Sequence, residues 1–196
     1  SSTDVIGPLT RSVSDAALVL DVMSGRDDLD GTTIERDKSA YTDLTMNVQG
    51  KKIGIIKEYF GEGLDSEVRA QIDKAITYLR KAGAEITEVS LPSLDLALAC
   101  YYIIVPAEVS SNLSRYDGQR YGLSAIDAKD LDQSYELARE RGFESENKRR
   151  IMIGTYVLSS GYYDAYYKKA QTVRTKLINE FAEAFKKVDF LVGPTA

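Results

Sequence analysis

Residues 52–56, Lys-Ile-Gly-Ile-Ile, and residues 84–91, Ala-Glu-Ile-Thr-Glu-Val-Ser-Leu, decide the fold of this chain. The first run is short, apolar after its lysine and rich in isoleucine, the pattern of a strand buried on both faces. The second alternates apolar and polar positions, the period of a strand with one covered face. Between them Asp65 is placed to cap a helix whose apolar stripe is Val68, Ile72, Ile76 and Leu79, with Gly83 at its end. Strand, helix, strand at this spacing is a βαβ unit, which predicts a parallel sheet and a right-handed crossover. Pro92 stops the second strand.

Working outward, Ser12 with Asp15 three residues on gives a helix start, and Ala16, Ala17, Leu20 and Met23 carry its stripe over 12–24. Residues 25–50 are acidic and turn-rich and read as a long surface loop. Asp27, Asp28 and Asp30 before Gly31 faintly suggest a calcium loop, but the flanking helices and the terminal glutamate spacing are missing. Downstream, residues 94–113 form a long apolar helix interrupted or kinked at Pro106. Residues 115–122, RYDGQRYG, form a polar aromatic loop, and 130–141 a charged helix. Residues 162–187 predict one long amphipathic helix, with Tyr166, Ala170, Val173, Leu177, Phe181 and Ala184 on one side. Phe190, Leu191 and Val192 make a third strand. The class is therefore α/β. Residues 1–11 hold no initiator Met and no capped element, so the sequence is expected to be a piece of a longer protein. No repeat or low-complexity linker divides it, and residues 1–196 are expected to form a single partial domain.

Composition narrows the chemistry. The 196 residues are 43% hydrophobic and 28% charged, ordinary globular values, and the formal net charge is −5. That balance argues against a nucleic-acid surface made by this chain alone. With no histidine, Ser-His-Asp and Cys-His catalysis and the usual zinc sites are excluded within these residues. The one cysteine, Cys100, sits in the apolar run LALACYYII, where a buried inert thiol is expected and no internal disulfide is possible. No signal peptide and no membrane-spanning run is read, and a reducing cytoplasm is the expected compartment.

Residues 148–167, KRRIMIGTYVLSSGYYDAYY, concentrate the functional signal. Lys148, Arg149 and Arg150 lead directly into apolar sequence, and four tyrosines follow a Ser-Ser-Gly hinge. An arginine drawn into an apolar surface needs an anion or several acceptors, so one of these is a candidate for gripping a carboxylate. The competing reading is a solvated helix start. Tyr101 lies in the first part of an otherwise apolar helix, where its hydroxyl needs a partner. Tyr101 and Arg150 are the best-defined polar pair if their helices pack; otherwise they are a core tyrosine and a surface arginine. The serine pairs Ser1-Ser2, Ser110-Ser111 and Ser159-Ser160 read as turn or packing residues. GEGLDS at 61–66 lacks the lysine and glycine spacing of a phosphate loop. No complete catalytic constellation is visible.

The stretch IGPLTRSVSDAALVLDVMSG is similar to the tail of the amidase-signature region. PAEVSSNLSRYDGQRYG, KRRIMIGTYVLSSGYYDAYYKKAQTVR and the closing VGPTA resemble, more narrowly, the A-subunit family of bacterial aspartyl/glutamyl-tRNA amidotransferases. The resemblance covers essentially the whole chain.

The resemblance implies part of an amidase-signature fold, a mixed β-sheet covered by helices on both faces. It implies a glutaminase that releases ammonia by means of a serine nucleophile, a second serine in a cis peptide and a lysine base. The ammonia passes to a B subunit, where ATP and Mg²⁺ support amidation of misacylated Glu-tRNA(Gln) or Asp-tRNA(Asn); a small C subunit completes the complex. Carried over residue by residue, Tyr101 is the tyrosine that binds glutamine and Arg150 the arginine that binds its carboxylate, with Arg149 the adjacent ambiguity. The lysine and both serines are expected upstream of Ser1 and a further acidic contact beyond Ala196. No catalytic residue, metal or cofactor is expected in this chain, and the chain alone is expected to be inactive. Two other readings stand: part of another amidase-signature hydrolase acting on free amides, or a non-catalytic interaction module.

Overall fold

The structure, a computed structural model, describes residues 2–3, 5–36, 40–44 and 47–195. Residues 37–39, 45 and 46 of the expected loop, Ser1 of the first serine pair and Ala196 of the closing motif lie outside the described residues. The chain forms two compact units, one of residues 3–49 and one of residues 1–2 with 50–196.

The smaller unit is built around helix α1, Val13–Met23. The Ser12 side chain accepts from the Asp15 amide, so one of the first turn's exposed donors is capped as the sequence predicts. Asp21 on this helix accepts from the Tyr41 and Thr42 amides and pairs with Arg36 at 3.1 Å. Asp27 and Asp30 each use Oδ1 in turn hydrogen bonds, from the Leu29 amide and from Thr32 respectively. The described part of residues 24–49 holds no helix or strand.

The larger unit opens with strand β1, Lys52–Ile56, and helix α2, Ser66–Lys81. Asp65 caps α2 by accepting from the Glu67 and Val68 amides. Gly83, at φ +92°, turns the chain into strand β2, Glu85–Val89. Strand β3, Phe190–Val192, lies on the other side of β1, so the order is β2-β1-β3 and both pairings are parallel. Asp189 fixes the start of β3: its carboxylate accepts from the Lys52 amide and its own amide donates to the Lys52 carbonyl, both at 2.8 Å. Gly54, in the central strand, gives up its side chain because a Cβ there would come within 2.8 Å of Val89 and Leu191.

A 3₁₀ turn at Pro92–Leu96 leads into helix α3, Ala97–Leu113. Helix α4 spans Leu131–Gly142, helix α5 Ser145–Leu158 and helix α6 Lys169–Phe185. Two corrections to the sequence reading concern these helices. Helix α3 passes through Pro106 without interruption; the proline withdraws only one backbone donor, and the surrounding packing holds the turn. The long helix expected over 162–187 instead begins as a six-residue π-helical turn, Tyr163–Lys168. Tyr166, the first member of the expected stripe, therefore lies in that turn, exposed, while Ala170, Val173, Phe181 and Ala184 face the core. A period of 3.6 continued by the side chains hides one added residue in the backbone.

Helix α6 joins two halves of the core. Its C-terminal half, through Phe181 and Ala184, packs with Ile56, Val89, Leu91 and Leu191 of the sheet region. Its N-terminal half, through Ala170 and Val173, packs with Cys100, Ile103 and Ile104 of α3. Ile56 and Leu91 are 3% and 1% exposed, each worth about 1.5–3 kcal/mol of burial. Residues 92–113 are long and apolar enough, by length and composition alone, to cross a membrane. In the fold this segment packs against α5 and α6.

Candidate functional site

The site sits where α3 meets α5. They pack tightly at Gly154: a Cβ there would fall 1.9 Å from the Pro106 carbonyl oxygen. A glycine is needed because backbone, not a flexible side chain, fills the space. Beside it the Ser110 and Thr155 hydroxyls meet at 2.9 Å. Thr155 donates to the Ile151 carbonyl, so Ser110 is the donor to Thr155.

Gly154 and Val157 are the buried residues of α5, and Arg150 lies on the same stripe, four and seven positions earlier. That position resolves which of the two arginines turns inward. The Arg150 side chain is 27% exposed against 56% for Arg149. Arg150 Nη1 donates to the Tyr101 hydroxyl at 3.1 Å, and its guanidinium carbon stands 6.0 Å from the Tyr101 ring centre. Tyr101 and Arg150, the two residues singled out in the sequence, are thus brought into direct contact. Tyr101 is itself braced edge-on by Tyr102, ring centres 5.2 Å apart.

Glu146, which the sequence reading passed over, holds both arginines. Its Oε1 accepts from Arg150 Nε at 2.8 Å and from Arg149 Nη2 at 2.8 Å, and its Oε2 accepts from Arg149 Nε at 2.8 Å. The signal was present as spacing: a carboxylate three and four residues before two cations shares their helix face. These bonds, Arg149 first and Arg150 second, hold the Glu146 carboxyl down at about 2. Arg150 is pushed further up, by the Tyr101 hydroxyl first and then Glu146, so it stays cationic. Lys148, the third cation of the run, donates to the Glu140 carbonyl at 2.7 Å near the end of α4. None of the three is merely solvated.

What remains unspent defines what the site can do. Arg150 Nη2 and the Tyr101 hydroxyl proton have no hydrogen-bond acceptor among the described residues. Arg150 Nη1 has a second hydrogen as well. A planar cation and a phenol with converging free donors suit a carboxylate. Among the described residues there is no cluster of three or more metal-ligating side chains. Cys100 is buried, its thiol pushed up by burial and donating to the Ala170 carbonyl at 3.2 Å, so it is no nucleophile.

A second polar cluster was invisible in the sequence. Ser2 donates its amide to Glu108 Oε2 at 3.0 Å and its hydroxyl to Glu108 Oε1, while Arg174 Nη1 donates to the same hydroxyl oxygen at 3.0 Å. Of the turn or helix-packing roles expected of this serine, the structure has the second: it ties α3 to α6. Ser159 of the third pair does close a turn, donating to the Tyr156 carbonyl.

The amidase family model matches residues 1–196. The chain is 54% identical over its full length to the A subunit of the glutamyl-tRNA(Gln) amidotransferase of Koribacter versatilis, of which it covers 41%. It is 54% identical, again over its full length, to the protein of the same name from Thermodesulfovibrio yellowstonii, covering 40% of it. Among solved structures, the A subunit of the glutamyl-tRNA(Gln) amidotransferase of Thermotoga maritima superposes with a TM-score of 0.68 at 34% identity, over 96% of this chain and 36% of that one. A bacterial aryl acylamidase of the amidase signature family superposes equally well, TM-score 0.68, at 20% identity over 96% of this chain and 37% of that one. At that identity the match speaks to the fold alone. The chain thus spans about two-fifths of the length of the relatives it matches in sequence.

Proposed function

The chain belongs to the amidase family, and from that premise we propose that it forms the glutamine-gripping part of the A subunit of a tRNA-dependent amidotransferase. The observation that carries this reading is the Arg150–Tyr101 contact at 3.1 Å with its free donors. Arg150 binds the α-carboxylate of glutamine through Nη1 and Nη2. The Tyr101 hydroxyl accepts from Arg150 and donates its own proton to the substrate, fixing where the side-chain amide lies.

The reactive groups, two serines with one in a cis peptide and a lysine base, belong to a part of the protein outside these 196 residues. There the serine attacks the amide carbon, ammonia leaves, and water releases glutamate. Ammonia then serves a B subunit, which uses ATP and Mg²⁺ to amidate misacylated tRNA in a cytoplasmic assembly with a C subunit. In this reading glutamine is the only ligand of this chain. An amidase acting on free amides without partners is less well supported, because 54% identity is to proteins named as the tRNA-dependent enzyme.

The test uses the full-length protein with its partner subunits. Tyr101→Phe and Arg150→Lys are expected to raise the KM for glutamine roughly tenfold or more, a loss of binding made in ground and transition states alike. Amidation supported by free ammonia is expected to be unchanged in both variants. An unchanged glutamine KM in Arg150→Lys overturns the reading, as does release of ammonia from glutamine by the 196-residue chain alone.

A further inference from the structure

Arginine offers a carboxylate two docking edges. One is the side, Nε with Nη2; the other is the end, Nη1 with Nη2. At Arg150 the side edge is already engaged, because Nε donates to Glu146 Oε1 at 2.8 Å. That carboxylate is not free to swing away, since Arg149 grips both of its oxygens at 2.8 Å. From the other flank, Tyr101 holds Nη1. The guanidinium is thus fixed from two helices, and the end is the one edge whose two nitrogens, Nη1 and Nη2, both keep an unspent hydrogen.

We infer that Glu146 is a positioning residue that closes the side edge of Arg150, so that a substrate carboxylate is received end-on by Nη1 and Nη2 beside the Tyr101 hydroxyl. The inference rests on the reading of Arg150 as the carboxylate ligand. A carboxylate next to an anion site would ordinarily weaken it by like-charge repulsion. Arg149 answers that objection: it neutralises Glu146, so the local balance of Arg149, Arg150 and Glu146 stays at one positive charge. An exposed helix-face ion pair by itself organises little. The difference here is that one member of the network, Arg150, is also held by a side chain of another helix, so its plane is set from both ends.

The inference also explains why two adjacent arginines are present. Arg150, on the buried stripe, meets the substrate. Arg149, on the exposed side, never touches the ligand and acts only through Glu146.

The experiment compares two substrates in the full-length protein with its partner subunits: glutamine, and a glutamine analogue whose α-carboxylate is capped as a methyl amide. The variants are Glu146→Gln and Arg150→Lys. Glu146→Gln, an isostere that keeps volume and weakens the hold on Nε, is expected to raise the KM for glutamine several-fold to roughly tenfold, with kcat retained. With the capped analogue its KM is expected to match that of the unmodified protein. If Arg150→Lys raises the glutamine KM and Glu146→Gln does not, the positioning role is wrong while the carboxylate reading stands. If Arg150→Lys leaves the KM unchanged, both fail together. An equal loss with both substrates, or a fall in kcat, also overturns the inference, because that is the mark of general damage to α5.

Discussion

The Arg150 guanidinium and the Tyr101 hydroxyl meet at 3.1 Å although 49 positions separate them in the chain. The meeting depends on how close α3 and α5 approach, and that closeness depends on Gly154 against Pro106. A bond at one end of a helix pair is thus set by a missing side chain one turn further along.

Gly154→Ala is expected to be among the most damaging single-methyl additions in the chain. Its Cβ would lie 1.9 Å from a backbone oxygen and 2.6 Å from the Ser110 Cβ, so α3 and α5 must separate. Overpacking of this kind costs about 1–3 kcal/mol or more. Chemical denaturation of the chain and the variant, compared at their midpoints, measures it. A midpoint unchanged in the variant contradicts the close approach.

Glu180→Ala is expected to destabilise the junction of the sheet with α3. Glu180 accepts from the Ser93 amide at 3.0 Å and from the Ser93 hydroxyl at 2.6 Å, and Ser93 is 4% exposed. Removing the carboxylate strands two buried donors at a cost of about 1–3 kcal/mol. Ser93→Ala in the same background is expected to recover part of the loss, because it removes one of those donors. Thermal melts of the two single variants and the double variant read the coupling.

Stability of the chain is expected to fall in acid partly through Glu146. Its folded-state carboxyl is held at about 2, below an ordinary value of 4.5. In that interval the unfolded chain binds more protons, so the stabilisation is complete above about 4.5 and is lost as pH falls through about 2. Glu146→Gln is expected to flatten the dependence of melting temperature on pH over that window and to leave it unchanged near neutrality. Parallel melts from pH 2 to neutral test the sign.

Cys100 is expected to resist alkylation in the folded chain and to react fully in denaturant. It is buried, its thiol is raised by burial, and its hydrogen is engaged by the Ala170 carbonyl. Mass spectrometry after a timed iodoacetamide pulse, with and without denaturant, gives the comparison. Rapid labelling of the folded chain would place this face of α3 in solvent.

Legibility in the sequence followed the range of the forces involved. The β1-α2-β2 unit was readable because each element declares itself locally: an isoleucine run, an Asp65 cap, a 3.6-residue stripe and Gly83 as a stop. The register of β3 beside β1 was not, since it rests on Asp189 meeting Lys52 across 137 positions. Tyr101 and Arg150 were named as a pair, but nothing local in either helix states that they touch. Gly154 read only as one member of an apolar run, because close backbone approach leaves no mark on composition. Glu146 was within reach of simple helix spacing. The Ser2–Glu108–Arg174 anchor joins three parts of the chain and has no local signature at all.

The π-helical turn at Tyr163–Lys168 carries one residue more than an α-helix would spend on the same rise, and each residue advances a helix by about 100°. The added residue works as a phase shifter. Tyr156 and Tyr162 before the turn gather with Tyr166 inside it, ring centres 4.3–6.2 Å apart; downstream, Ala170 and Val173 point at α3. Excising a single residue from this turn would let the backbone relax into ordinary helix while rotating one of those two faces out of alignment, so the tyrosine cluster and the core contact are geometrically hostage to the same insertion.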